Sequence, residues 1–429
     1  MPATRTHFLS IVAKTSQPSW GTKTLMDESA ECALRRDPNA NRVTNVYEFL
    51  VETLAKQHDS AFGWASALMK FNCHRATAAL MLAFLSFGCT GRPLQGVLVP
   101  NAQAIEGTSQ VSILAATTRK RSTTDTGAMF SGERAPDVSY AAITVSIPPD
   151  GARKIGEVQW PRSPPGDPSH DFVTVSADYL DKQSFNTALS AAAKQTGRNK
   201  VLVFIHGFNN RFDDAVYRFA QIVHDSNAPV IPVLFSWPSR GEVRLSAYTY
   251  DRESANYSRD ALEQLLDSIA LNPNVKEITV LAHSMGNWLT LETLRAKSIH
   301  AGRITDKIKN VLLVAPDVDV DVFRTEIRRM GSPRPQFALF LSQDDQALKL
   351  SQSIWGGVSR IGEVNPEEEP YRSEFERENI MVFDLTHLQG DAHSRAFEDV
   401  TSVMGMIRQR LATGQQLAEP AASLTDASH

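Results

Sequence analysis

Val280-Leu281-Ala282-His283-Ser284-Met285-Gly286 holds the residues of this chain best suited to chemistry. An apolar run, Ile278 to Leu281, leads into small-x-Ser-x-Gly, and a helix-like segment, Asn287 to Ser298, follows at once. Strand, sharp turn and helix in that order make a nucleophile elbow, which strains the serine backbone and exposes its hydroxyl. The positions two before and two after the serine must be small, because strand and helix backbones pass close together there. Gly286 meets that need and Ala282 adds only a methyl group. The chemistry this permits is acyl transfer to Ser284, as in a hydrolase or an acyl transferase.

A serine hydroxyl needs a base, a group to orient the base, and donors for the developing oxyanion. With the chain order Ser, Asp, His, the base comes from the histidines beyond the candidate acids: His387, His393 and His429. His429 sits in the tail. His393 opens a terminal helix, where a loop-to-helix junction can aim it at the elbow, and is the preferred base; His387, nearer the last strand, is the alternative. The acid should follow the run Phe337 to Leu341, where Asp344 and Asp345 both stand. One of them can cap the helix beginning near Ala347, and Asp345 is preferred as the acid. The cluster Asp317, Asp319, Asp321 is a rival. A calcium loop counted from Asp317 would need Gly and Glu where Val322 and Arg328 stand, so its reading is helix N-capping. For the oxyanion, Met285 offers an amide at a helix N-terminus. Phe208 offers a second, in the His206-Gly207-Phe208-Asn209-Asn210 loop after Val201 to Ile205. His206 reads as a structural residue holding that loop. The His283 side chain is expected to point away across the turn.

The elements that must position these residues alternate. Apolar runs Val201–Ile205, Val230–Phe235, Ile278–Ala282, Val311–Ala315, Phe337–Leu341 and Ile380–Phe383 are interleaved with helical patterns. The helical patterns cover Asp213–Asp225, Ser254–Leu271, Asn287–Ser298, Asp319–Met330 and His393–Leu411. That order predicts an α/β fold, a doubly wound and mostly parallel sheet with helices on both faces. Upstream, Val111–Ala116, Ala142–Ile147 and Phe172–Val175 read as strands, Ser184–Gln195 as a helix, and Arg119–Arg134 and Pro148–His170 as loops. The stretch Pro238–Asn256, with Trp237, Tyr248, Tyr250 and Tyr257 nearby, could form a pocket wall. The insert between Leu350 and Asn379, charged at Glu367 to Glu369, could form a lid.

At these residues the chain resembles the alpha/beta-hydrolase superfamily, and more narrowly a bacterial alpha/beta-hydrolase family of unknown function with lipoprotein-like N-termini. The segments are Val203-Phe204-Ile205-His206-Gly207-Phe208-Asn209, Phe235-Ser236-Trp237-Pro238-Ser239, Ala282-His283-Ser284-Met285-Gly286, Ala315-Pro316-Asp317-Val318-Asp319 and Ser342-Gln343-Asp344-Asp345-Gln346-Ala347-Leu348. Ala115-Ala116-Thr117-Thr118-Arg119 and Phe130-Ser131-Gly132-Glu133-Arg134 resemble its N-terminal portion. The resemblance implies the alpha/beta-hydrolase fold and a nucleophile at Ser284, and it favours Asp345 over Asp344. It supplies no substrate.

The N-terminus reads differently. Lys70, His74 and Arg75 precede an uncharged run, Ala76 to Phe87, ended by Gly88-Cys89. The run is too short to span a bilayer, which takes ~20 residues, but suits a signal h-region, with Cys89 as a candidate for lipidation. A signal works at a chain terminus, so Met69 is the expected start. The expected organisation is a non-native or disordered leader (1–68), a signal (69–89), a tether (90–110), a hydrolase domain (111–411) and a disordered tail (412–429). All three cysteines, Cys32, Cys73 and Cys89, fall in the first 89 residues, so nothing beyond can hold a disulfide or a thiolate metal site. A net charge of −4 offers no basic stripe for nucleic acid. No cofactor motif appears, and this chemistry needs none. The expected function is a serine hydrolase acting on a small-molecule or lipid acyl substrate, from the bacterial cell envelope. The alternatives are an acyltransferase on the same scaffold or a non-catalytic envelope binding module.

Overall fold

Short runs of aliphatic and aromatic residues, buried on both sides, build the centre of the sheet in a computed structural model that describes residues 92–195, 199–388 and 390–398. The chain divides into two units, Met1–Gly88 and Cys89–His429, and every described residue belongs to the second. The leader, the signal-like segment, Cys89 and the tail lie outside the described residues. Among the described residues no helix is long and apolar enough to cross a membrane.

In chain order the elements are β1 (Ser109–Arg121), β2 (Phe130–Ile147), β3 (Val173–Leu180), α1 (Lys182–Gln195), β4 (Lys200–Ile205), α2 (Phe212–Ser226), β5 (Ile231–Ser236), α3 (Leu245–Tyr257) and α4 (Arg259–Leu271). There follow β6 (Glu277–His283), α5 (Met285–His300), β7 (Ile308–Val314), α6 (Val320–Met330), β8 (Gln336–Leu341), α7 (Gln346–Ile354), α8 (Tyr371–Arg377), β9 (Ile380–Asp384) and α9 (Arg395–Glu398). The strands form one sheet in the order β3-β2-β1-β5-β4-β6-β7-β8-β9. β2 runs antiparallel to β1 and β3, and the pairings from β1 through β9 are parallel.

Alternation along each strand divides the core in two. Val201, Val203, Ile205, Val280 and Ala282 face the side covered by α1, α4, α5 and α6, through Phe185, Leu265, Leu289 and Phe323. Leu202, Phe204, Leu281 and Leu312 face the side covered by α2 and α9, through Phe219, Val223 and Phe397. Burying each of the larger of these side chains contributes roughly 1.5–3 kcal/mol. With both faces covered, the parallel strands have no polar face, which is why they read as continuous apolar runs.

Four sequence expectations change. Arg119–Arg134, read as a loop, is largely the ends of β1 and β2, paired out to Arg121 and Phe130 through two register shifts. Its charges mask a strand because this ribbon runs past the sheet, and Arg119 itself is buried. The tether stretch packs onto the domain in its described part: Val97 and Leu98 are buried in the α2-side core. The single helix expected over Ser254–Leu271 is two, α3 and α4, meeting at Ser258. There the Ser258 hydroxyl donates back to the Ser254 carbonyl (2.7 Å) and bonds Thr118 Oγ1 (2.8 Å), a bond type that bends helices. The stretch read as a lid packs into the fold through buried Ile361, Val364 and Phe375, while Glu367 to Glu369 stay exposed.

Candidate active site

Ser284 sits between β6 and α5 with φ 51° and ψ −123°. A non-glycine residue at that φ is strained, and such strain persists only where the surroundings enforce it. Here β6 and α5 nearly touch the neighbouring β4 loop. A Cβ on Gly286 would lie 2.4 Å from the His206 carbonyl oxygen, and one on Gly207 would lie 2.8 Å from the Ser284 Cβ. Asn287 secures the turn from inside, donating through Nδ2 to the Ser284 carbonyl (2.9 Å) and the Val314 carbonyl (2.8 Å).

His393 and Asp345 meet this serine. Asp345 Oδ2 lies 2.8 Å from His393 Nδ1, and His393 Nε2 lies 2.9 Å from Ser284 Oγ. A carboxylate only accepts, so Nδ1 carries the proton, Nε2 is the acceptor and the serine hydroxyl donates to it. Asp345 serves twice: its Oδ1 accepts the Ala347 and Leu348 amides at 2.9 and 3.1 Å, capping α7. Burial by itself would raise the Asp345 pKa, but the His393 hydrogen bond and charge and the two amides bring it below the ordinary carboxylate range. Burial likewise works against His393 protonation, yet the Asp345 hydrogen bond and charge leave its pKa raised.

Asp344 and His387 are elsewhere. Asp344 pairs with Arg395 at 2.9 and 3.0 Å, bracing the start of α9, and His387 is exposed on the turn after β9. The acidic cluster divides. Asp319 caps α6 through the Asp321 and Val322 amides, as expected of a cap. Asp317 does not: it accepts from Tyr248 Oη (2.5 Å) and Ser351 Oγ (2.6 Å) and lies 3.3 Å from Arg360 Nε.

His283 departs from its expected orientation, because its ring packs on His393 at 4.9 Å and its Nε2 donates to the His393 carbonyl (3.0 Å). Burial, helped by the charge of His393, lowers its pKa to about 3, so it stays neutral while it holds the His393 backbone. Nothing in the sequence distinguishes it from an ordinary residue of the turn.

The Phe208 and Met285 amides donate to no acceptor among the described residues, which leaves both open to a ligand. The Phe208 loop is built from behind. His206 is stacked on Trp237 at 4.9 Å, its Nδ1 donates to the Gly207 carbonyl (2.9 Å), and Trp237 Nε1 donates to the His206 carbonyl (2.8 Å). Burial and the charge of Arg119 hold the His206 pKa well below the ordinary value. Arg119 reaches this loop through Nη2 to the Asn210 carbonyl (2.7 Å) and to His206 Nε2 (3.3 Å). Of the aromatic residues expected in a pocket wall, Tyr248 packs on Phe208 at 5.1 Å. Trp237 is buried beneath the loop, and the Tyr250 and Tyr257 hydroxyls donate to the carbonyls of Gly132 and Ala135. Among the described residues no group of three or more His, Cys, Asp or Glu side chains is placed to hold a metal ion.

A mostly parallel sheet wound on both faces, with a strained serine on the β6–α5 turn, defines an alpha/beta hydrolase. The chain belongs to the family described as "alpha/beta hydrolase of unknown function (DUF900)", whose sequence pattern matches residues 181–410. A relative from Nostoc sp. described as an uncharacterized protein is 27% identical over 171 residues, 33% of this chain and 44% of the relative. The chain thus spans less than half the length of that relative. Solved structures similar to it include an esterase of Pyrobaculum calidifontis, with 12% identity, TM-score 0.31 and coverage of 55% of this chain and 94% of that one. An esterase of Pyrococcus furiosus shows 12% identity, TM-score 0.30 and coverage of 52% and 85%.

Proposed function

We propose that this hydrolase cleaves an ester or related acyl bond through Ser284, with His393 as base and Asp345 as the group orienting it. The observation that carries the reading is the unbroken hydrogen-bond chain from Ser284 Oγ through His393 to Asp345. His393 Nε2 takes the hydroxyl proton as Oγ bonds to the substrate carbonyl carbon. The carbonyl π electrons move onto oxygen, where the Phe208 and Met285 amides receive the charge. Asp345 steadies the imidazolium without taking its proton. Collapse of the intermediate expels the alcohol, which leaves with the proton from His393. Water, deprotonated by the same imidazole, then releases the acid and restores the Ser284 hydroxyl. The test is labelling by a fluorophosphonate, expected in the wild type and absent in Ser284→Ala. A folded wild type that resists labelling would overturn the reading.

We also propose that the protein works at the bacterial cell envelope, lipid-anchored at Cys89. The support is sequence alone: the basic residues before Ala76, the uncharged run to Phe87 and the Gly88-Cys89 pair. Metabolic palmitate labelling that disappears in Cys89→Ser is the expected result. A mature chain beginning at Met1 would count against it.

A further inference from the structure

A narrow recess, about 10 Å³, opens beside Met285, the residue after the nucleophile. Space of that size holds roughly one water molecule, so it admits the polar tip of a substituent and not a chain. Its position ties it to the reacting centre: Asp317, in its wall, donates its amide to the Ser284 carbonyl at 3.3 Å.

Two guanidiniums line this cavity against one carboxylate, and the carboxylate is occupied. Asp317 accepts from Tyr248 and Ser351 and lies against Arg360, whose Nη2 also donates to the Ser351 carbonyl (3.4 Å). Arg252 is left over. It lies over the Trp288 ring at 4.8 Å and the Trp355 ring at 4.2 Å, half-buried on α3. Among the described residues it makes no hydrogen bond and has no carboxylate within ion-pair distance. Trp288 is itself fixed, donating through Nε1 to Asn256 Oδ1 (2.8 Å). The two rings hold the guanidinium by cation–π contact and leave its N–H donors, which can match a carboxylate or phosphate two bonds at a time. A pre-oriented cation with unused donors beside the nucleophile is the arrangement that selects a charged substrate group over a neutral one of equal length.

We propose that Arg252, held against Trp288 and Trp355, binds an oxyanionic substituent of the substrate, so that the ester cleaved at Ser284 carries a negative charge on its acyl or alcohol arm. This rests on the reading of Ser284 as the nucleophile. Arg252 is the specificity-determining residue and takes no part in the bond-making step.

The test compares kcat/KM for 4-nitrophenyl hemiglutarate with that for the neutral 4-nitrophenyl pentanoate, and for glycerol-phosphate butyrate with that for glycerol butyrate. The first pair places the anion on the acyl arm and the second on the alcohol arm. The wild type should prefer the anionic member of one pair at least tenfold. Arg252→Gln should cut that preference tenfold or more, and Arg252→Lys should restore part of it. Equal use of both members in both pairs, or a preference unchanged in Arg252→Gln, overturns the proposal. A readout without turnover separates this from the triad: glutarate and glycerol phosphate are titrated into Ser284→Ala and followed by tryptophan fluorescence. Saturable quenching that is lost in Ser284→Ala/Arg252→Gln upholds the anion site even if Ser284 proves not to be the nucleophile. No quenching by either anion counts against the site whatever the fate of the triad.

Discussion

On the sheet side of Ser284, Arg119 has 1% of its surface exposed and every donor engaged. Its Nε reaches Ser236 Oγ, its Nη1 the Ser239 and Ser131 carbonyls, and its Nη2 the Asn210 carbonyl and His206. On the helix side, Arg252 lies over two indoles with its donors unused. Burial lowers the Arg119 pKa to about 10, which leaves it charged at neutral pH. A charge that deep is tolerated only when its hydrogen-bonding capacity is met inside the protein. Once met, it has nothing left to offer a ligand. The two arginines therefore mark two kinds of ground around the serine: a saturated scaffold that fixes the Phe208 loop, and an unsaturated wall where a substrate can be chosen.

The serine lies between these grounds, so its removal is the largest expected effect. Ser284→Ala should lower kcat on any ester substrate by ~10⁴-fold or more. Turnover surviving in that variant would leave both arginines flanking an inert turn. Asp345→Asn comes next, with a loss of ~10³–10⁴-fold in kcat and a displaced pH profile. In the proposed mechanism the base works only when neutral, and Asp345 raises the His393 pKa against the effect of burial. The acid limb of wild-type kcat/KM should therefore lie above the ordinary imidazole value and move to lower pH in Asp345→Asn. A limb that stays in place would mean that another group titrates.

The two arginines should then separate by the kind of damage their loss does. Arg119→Met strands several buried carbonyls, at ~1–3 kcal/mol each. It is expected to lose ~3 kcal/mol or more of stability, read from the urea midpoint. Arg252→Gln gives up two stacking contacts of ~0.5–1 kcal/mol each at a half-exposed site and should lose ~1 kcal/mol. Equal losses would erase the distinction between scaffold and wall.

The scaffold was largely readable from the order of residues, because the residues that meet at the serine each stand beyond the C-terminal end of a strand. Asp345 follows β8, His393 follows β9 and Gly207-Phe208 follows β4, and a doubly wound sheet brings those ends together. Arg119 was readable only as part of a polar stretch, since charge in sequence argues for exposure and its burial depends on acceptors from Ser131, Ser236, Ser239 and Asn210. The wall was not readable at all. Arg252 and Trp288 come from two helices and Trp355 from the turn after α7, all far apart in the chain, and no local periodicity links them. The first part of helix α3, from Leu245, is masked in the sequence because its buried face includes Asp251, which serves the Phe208 loop, and Ser254, which accepts from Arg134, so polar residues break the apolar repeat that announces a helix.

The smallest effect tests whether saturation, rather than burial, is the governing variable. Glu326 on α6 is 2% exposed, and among the described residues its carboxyl group meets only a second carboxyl group, that of Glu292. Arg295, the nearby cation, is taken by Glu292 at 2.7 Å. Burial first, and then the charge of Glu292, push the Glu326 pKa up to about 9. The folded value lies above the unfolded one. The stability tied to the neutral acid is therefore fully present below about 4.5 and is lost as pH rises through about 9. Glutamine keeps the shape and cannot ionise, so Glu326→Gln should match the wild type near pH 4 and exceed it progressively as pH rises toward 9, read from denaturant midpoints across that range. Arg119, equally buried but fully partnered, should show the opposite sign on neutralisation. If both substitutions destabilise at pH 9, depth alone decides what a buried charge is worth here, and the unused donors of Arg252 lose their standing as a sign of a ligand.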